Sequence, residues 1–205
     1  MTAPALPTDH RRLTWTAIVF LLITATTVAV CLTDAFSQPD YASFAQPANS
    51  FRCLVGAELF FLLFIWPLFV FGKQDPGRHF VQTLFLGVLS LPLLAATVAV
   101  ADASAWQVVR THALLGCVVL AVVAFARVDL ARWYYLGATA LAGGVPLAAY
   151  FIYDVLDAKI PWLSALSPFW AMDRAAVLDG PWPLPMMILL SAVAAAVWLV
   201  KPSGE

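Results

Sequence analysis

Long apolar runs separated by short polar connections dominate the pattern of this 205-residue chain. Six of these runs have the length at which a helix crosses the roughly 30 Å hydrocarbon layer of a membrane, about 17–25 residues. They cover residues 13–33, 53–71, 80–101, 108–126, 133–155 and 184–200. The runs are continuous and rich in Ala, Leu and Val, and they lack the alternating polarity of transmembrane strands. The pattern predicts an all-α polytopic membrane protein, a bundle of six transmembrane helices.

Composition and charge place this bundle in a membrane with a defined orientation. Apolar residues make up 62% of the chain and charged residues 11%, whereas soluble domains have about 45–50% and 25%. Most basic residues fall on one side of the predicted bundle, namely Arg11, Arg12, Lys73, Arg78, Arg127, Arg132 and Lys201. The positive-inside rule then makes both termini cytoplasmic. Residues 1–12 and 201–205 become cytoplasmic tails of a single domain, 13–200, in a plasma membrane, expected to be a bacterial inner membrane. The net charge of −1 indicates no nucleic-acid partner.

The loop at residues 156–183, on the predicted outer side, is unusually apolar. It contains Trp162, Leu166, Pro168, Phe169 and Trp170. Such a segment is too apolar for a solvated linker, and it is too short and too broken by proline to cross the membrane. We expect it to lie in the interface or to enter the bilayer as a re-entrant segment covered by protein. A collar packed on the outer helix ends is the alternative.

Ionisable side chains within the predicted spans are few, and such residues are often functional. Glu58, Arg110, His112 and Asp154 lie at similar depth near the outer ends of their spans, which predicts an intramembrane polar cluster. Arg110 is expected to pair with Glu58 or Asp154. Arg110 and His112 cannot share one helix face because they are two residues apart. The cluster could line an outward-facing cavity or handle protons, or it could be a structural ion pair with a snorkelling arginine.

Cysteine and histidine positions add limited information about chemistry. Cys31 and Cys53 flank the first outer loop at similar depth, so they could form a disulfide in an oxidising compartment or remain two ordinary buried thiols. His79 and His112 lie at opposite ends of their spans, which argues against a bis-histidine haem site. The sequence therefore predicts no catalytic residue, no metal site and no cofactor. Whether the chain is an enzyme stays open, and we expect no catalytic activity of its own.

One resemblance to a known family comes from the last outer loop. This loop carries Leu166-Ser167-Pro168-Phe169-Trp170-Ala171-Met172 shortly before the final span. Together with six spans, cytoplasmic termini and a long first outer loop, this sequence resembles the permease subunits of type-2 ABC exporters, in which a re-entrant stretch with a Ser-Pro-aromatic sequence often precedes the last helix. The resemblance implies a transport permease that dimerises or pairs with another membrane subunit, with ATP hydrolysed by a separate cytoplasmic ATPase. The alternative is a non-catalytic integral subunit of a larger respiratory or photosynthetic membrane complex.

Overall fold

The computed structural model describes residues 7–32, 47–71, 76–156, 162–177 and 180–200. These residues form helices joined by turns, with no strand among them, so the prediction of an all-α fold is confirmed. Residues 1–6 of the predicted N-terminal tail (1–12) and the predicted tail 201–205 lie outside the described residues, as do residues 157–161 and 178–179 of the apolar loop, whereas residues 7–12 belong to the first helix.

The helices follow one another as α1 (Pro7–Leu32), α2 (Ser50–Phe60), α3 (Trp66–Val70), α4 (Pro76–Ala101), α5 (Ala105–Arg127), α6 (Ala131–Thr139), α7 (Val145–Tyr150), α8 (Pro168–Ala176) and α9 (Leu184–Trp198). Short π-helical segments occupy Phe61–Ile65, Ala140–Gly144 and Phe151–Val155. Short 3-10 turns occupy Pro47–Asn49 and Ser164–Leu166.

Within the described residues, five continuous helical stretches are long and apolar enough to cross a membrane. They are Arg11–Leu32, Pro47–Val70, Gly77–Ala101, Ala105–Arg127 and Ala131–Val155. The sixth predicted span forms α9, which has 15 residues and is shorter than the others. The chain therefore has the helices of a multi-pass membrane protein.

Helix α5 is the central helix of this bundle. In the most apolar 18-residue segment of α5, 61% of the residues are buried, whereas the corresponding shares are 17% for α4 and 11% for the 131–155 stretch. Leu114, Val118 and Val122 follow one another at intervals of four residues on its buried face, which is the spacing that places side chains on one helix face. Helix α5 packs against α2, α4, α8 and α9, so it fixes the positions of all four.

Two of the spans contain a π segment followed two residues later by a proline. Pro67 follows the segment Phe61–Ile65, and Pro146 follows the segment Ala140–Gly144. Proline has no N–H group, and its ring crowds the carbonyl four residues earlier. The wider π turn accommodates this crowding within a continuous helix. Pro92, by contrast, lies inside the uninterrupted helix α4.

Tyrosines of α6 bind the carbonyl groups of the first π segment. Leu63 lies four residues before Pro67, so in an α-helix its carbonyl would lose the N–H donor that proline lacks. The hydroxyl of Tyr134 donates to this carbonyl at 2.9 Å, and the hydroxyl of Tyr135 donates to the Phe64 carbonyl at 3.4 Å. The irregular turn is thus stabilised from a neighbouring helix.

Candidate functional site

Helix α8 extends into the bundle with its N-terminal tip first. Pro168 lines a cavity of about 190 Å³ together with Leu63, Val118 and Leu190. The latter three residues lie in the interior of their own helical stretches, about one and a half to two and a half turns from the nearest helix end. The tip of α8 therefore reaches well below the helix ends. This placement supports the re-entrant path for the apolar loop, which stays a prediction.

Side chains from α5 and from α8 itself satisfy the free backbone groups at both ends of this short helix. A helix leaves its first N–H groups and its last carbonyl groups without partners. At the N-terminus the Ser167 hydroxyl accepts from the Trp170 N–H at 3.4 Å. At the C-terminus the Gln107 side-chain amide donates to the Ala176 carbonyl at 2.6 Å. Helix α8 is thus capped inside the protein at both ends.

Arg110 extends this C-terminal cap. Its guanidinium donates to the Val177 carbonyl at 3.0 Å and also to the Gly180 carbonyl, so a positive charge lies at the negative end of the α8 dipole. The expected ion pair with Glu58 or Asp154 does not occur among the described residues, and that prediction is corrected. The physical reason is that the loop carbonyls after α8 lie within reach of a residue only 7% exposed.

The other predicted residues of the loop lie within α8 or shortly before it. Leu166 ends the 3-10 turn and is half-buried, as are Phe169 and Trp170. The Arg174 guanidinium stacks over the Trp170 ring at 4.4 Å from its centroid, and Trp162 is 64% exposed.

An ion pair joins α8 to the start of α2. The side chain of Arg52 donates to one carboxylate oxygen of Asp173 through two nitrogens. Hydrogen bonds from α2 and α5 therefore both reach α8.

A second region of interest is a groove between α1, α2, α4 and α5. Its volume is about 620 Å³. The lining is apolar along most of its length, and exposed residues such as Leu84 and Leu120 border its opening on the surface of the bundle. Two predicted site residues, Glu58 and His112, lie in its wall. Asp154 is exposed, on the 131–155 stretch.

Glu58 is the buried polar residue of this groove. It is 4% exposed, and its Oε2 atom has no hydrogen-bond partner among the described residues. Ser90, whose hydroxyl donates to the Gly87 carbonyl at 2.9 Å, lies in the same wall of the groove. Burying a carboxyl group without full hydrogen bonding costs free energy. A hydrogen-bond donor to Oε2 would therefore stabilise this site, and the described residues supply none.

His112 faces the same carboxyl group through its Nε2 atom. Its Nδ1 atom lies 2.9 Å from the Val108 carbonyl oxygen, which can only accept, so Nδ1 carries the hydrogen. The Nε2 atom lies 4.0 Å from Glu58 Oε2, too far for a hydrogen bond. Of the four predicted cluster residues, the structure therefore brings together Glu58 and His112, while Arg110 points to α8.

The predicted cysteine pair also comes together. Cys31 near the end of α1 and Cys53 in α2 form a thiol–thiol hydrogen bond, and no disulfide joins them in this structure. A disulfide between them stays a prediction. Cys117 accepts from the Ser191 hydroxyl at 3.7 Å.

Gln107 is a site residue that the sequence interpretation missed. The Ser104-Ala105-Trp106-Gln107 sequence does carry the signal of a capping box, and the structure contains that box. Nothing in the spacing indicates that the same amide also reaches the end of α8.

Comparison of the chain with protein-family models, with curated proteins and with solved structures finds no match. The fold therefore defines only a class, that of helical multi-pass membrane proteins.

Proposed function

We propose that this chain is a transport permease of the ABC-exporter type, which acts with a separate ATPase and pairs with itself or with another membrane subunit. In this proposal α9 completes a six-span bundle with both termini in the cytoplasm of a bacterial cell. The observation that carries the proposal is helix α8. A short helix that enters the bundle just before the last apolar helix is the feature on which the resemblance to type-2 exporters rests.

The construction of α8 fits a working part of a transporter. Half-helices that end within the membrane carry unpaired backbone groups, and transporters use such broken helices at their transport pathways. Here Ser167 covers one end and Gln107 and Arg110 cover the other. These caps let a non-spanning helix hold a fixed position at depth, where it can border a path between two permease subunits.

The test is to purify the full chain with its native partners in a mild detergent. We expect a separate ATPase to co-purify, and its ATP hydrolysis in proteoliposomes should depend on α8. Met172→Ala opens space under α8, where Met172 is 1% exposed, and should change the ATPase rate at least twofold. Leu147→Ala is a matched control because Leu147 is 69% exposed, and it should leave the rate unchanged.

Two results would count against the permease. Co-purification of redox subunits without an ATPase would favour the alternative, a non-catalytic subunit of a respiratory or photosynthetic complex. An ATPase whose rate responds equally to both substitutions would remove α8 as the supporting feature.

A further inference from the structure

We propose that the groove between α1, α2, α4 and α5 binds a lipophilic primary amine, with the ammonium group between Glu58 and His112 and the apolar body along α4 and α5. This inference does not depend on the permease role, because binding is a property of the chain alone.

The separation of the two polar groups indicates a bridging atom. Glu58 Oε2 and His112 Nε2 lie 4.0 Å apart. An atom about 2.8 Å from each, an ordinary hydrogen-bond distance, would form an angle of about 90° between them. A nitrogen or oxygen atom with hydrogens in two directions fits there. The buried Oε2 has no partner among the described residues, so such an atom would supply a missing hydrogen bond.

The hydrogen-bonding roles of the two groups select an amine. With Nδ1 donating to the Val108 carbonyl, the Nε2 of a neutral His112 can only accept. The carboxylate of Glu58 also accepts. A hydroxyl has one hydrogen and satisfies one of them. A water molecule has two but leaves the apolar channel unfilled, whereas an ammonium group has three and can carry an apolar body into that channel. Its positive charge also complements the buried carboxylate, and charge-assisted hydrogen bonds are the stronger kind.

The rest of the lining argues against an anionic head group. The described side chains that line the groove include no Lys or Arg. Arg110 of α5 does not line the groove, and its guanidinium donates to carbonyls that follow α8. A phosphate or a fatty-acid carboxylate would therefore meet Glu58 without a compensating cation. This disfavours anionic head groups at the polar end.

The apolar part of the groove sets the size of the ligand. The lining runs along α4 from Ser90 to Phe80, which is about 15 Å at the rise of an α-helix. Gly87 and Gly116 leave open space, since a Cβ added at either would meet nothing within 4 Å. A volume of about 620 Å³ lies within the usual range of small-molecule sites, about 300–1,000 Å³. A chain of about a dozen carbons matches the length of this channel.

Photo-crosslinking tests the inference on the purified full-length chain in phosphatidylcholine nanodiscs. The probe is a twelve-carbon primary amine with a diazirine near its methyl end. We expect it to label peptides from 80–90 and 113–120, and unlabelled dodecylamine should displace it. The carboxylic acid and the alcohol with the same tail and diazirine should label these peptides at least tenfold less.

Two substitutions make the test specific. Glu58→Gln should reduce amine labelling at least tenfold, because the negative charge that attracts the ammonium group is lost. Gly116→Leu should reduce it similarly by filling the channel. Gly143→Leu is the matched control, since Gly143 is exposed with nothing within 4 Å of an added Cβ, and it should not change the labelling.

The inference is overturned if the three probes label equally, or if labelling survives both Glu58→Gln and Gly116→Leu. Either result would mean that the groove holds ordinary lipid chains. If Glu58→Gln abolishes folding, Gly116→Leu still decides the matter, since retained labelling in that variant contradicts the proposed site.

Discussion

Substitution of Arg110 tests the packing of α8 against α5 most directly. Arg110 donates to backbone carbonyls, whereas a buried arginine is expected to pair with a carboxylate. Arg110→Met keeps an apolar side chain of similar length but removes the charged donors that hold the Val177 and Gly180 carbonyls. The substitution leaves those carbonyls without this donor at the end of α8. It should therefore weaken the attachment of α8 and the residues after it to α5.

The size of this effect follows from the two hydrogen bonds. Bonds to a charged group contribute about 1.5–3 kcal/mol each, whereas hydrogen bonds between membrane helices average about 0.6 kcal/mol. The favourable position at a helix C-terminus adds about 0.3–1 kcal/mol. Removing a buried charge also removes its desolvation cost, which offsets part of the loss of stability. We expect Arg110→Met to lower the free energy of unfolding by about 2 kcal/mol, on the basis of these ranges.

The assay is reversible unfolding in mixed detergent micelles, followed by tryptophan fluorescence. Double-mutant cycles identify the partner. Arg110→Met should be additive with Glu58→Gln and with Asp154→Asn to within about 0.5 kcal/mol. It should couple with Gln107→Ala, because both side chains cap the same helix end. Coupling of more than about 1 kcal/mol to either carboxylate, or an unchanged stability in Arg110→Met, would refute the capping role.

Three further substitutions test neighbouring features by the same unfolding measurement. Gly180→Ala should lower stability strongly, because the added Cβ would overlap a backbone oxygen of α8; an equal loss in Gly143→Ala, where nothing lies within 4 Å, would contradict this reason. Ser167→Ala removes the N-cap of α8 and should lower the free energy of unfolding by about 1 kcal/mol. Ser167→Thr keeps a capping hydroxyl and should retain most of that stability. Tyr134→Phe should cost about 1 kcal/mol by leaving a π-segment carbonyl without its donor, whereas the exposed Tyr150→Phe should have no effect.

The helices could be predicted from sequence because hydrophobic length is a property of each segment alone. The structure contains five of the expected spans within six residues of their predicted limits, and the sixth apolar run as the shorter α9. The π segments were not predictable in this way. A π turn adds a residue to the helical repeat without changing the apolar character of residues 61–65.

The candidate sites could be predicted only in part. The cost of burying a charge depends on residue type, so it marked Glu58 and His112 among the four predicted cluster residues, and these two lie close together. The partners of Arg110 are backbone carbonyls, and every residue has one, so no residue type marks them. The groove likewise arises from the absence of side chains at Gly87 and Gly116, and glycine is common in membrane helices for many reasons.

The hydrogen bond from Tyr134 to the Leu63 carbonyl fixes the position of the π turn within its helix. A π turn can in principle move along a helix by one residue, and each such step turns the intervening segment by about 100° about its axis. Both ends of the Pro47–Val70 stretch could then stay anchored while the middle presents a different face. The hydroxyl groups of Tyr134 and Tyr135 hold the π turn at one position, so releasing both would change which side chains of this helix face α5 without any shift of the helix ends.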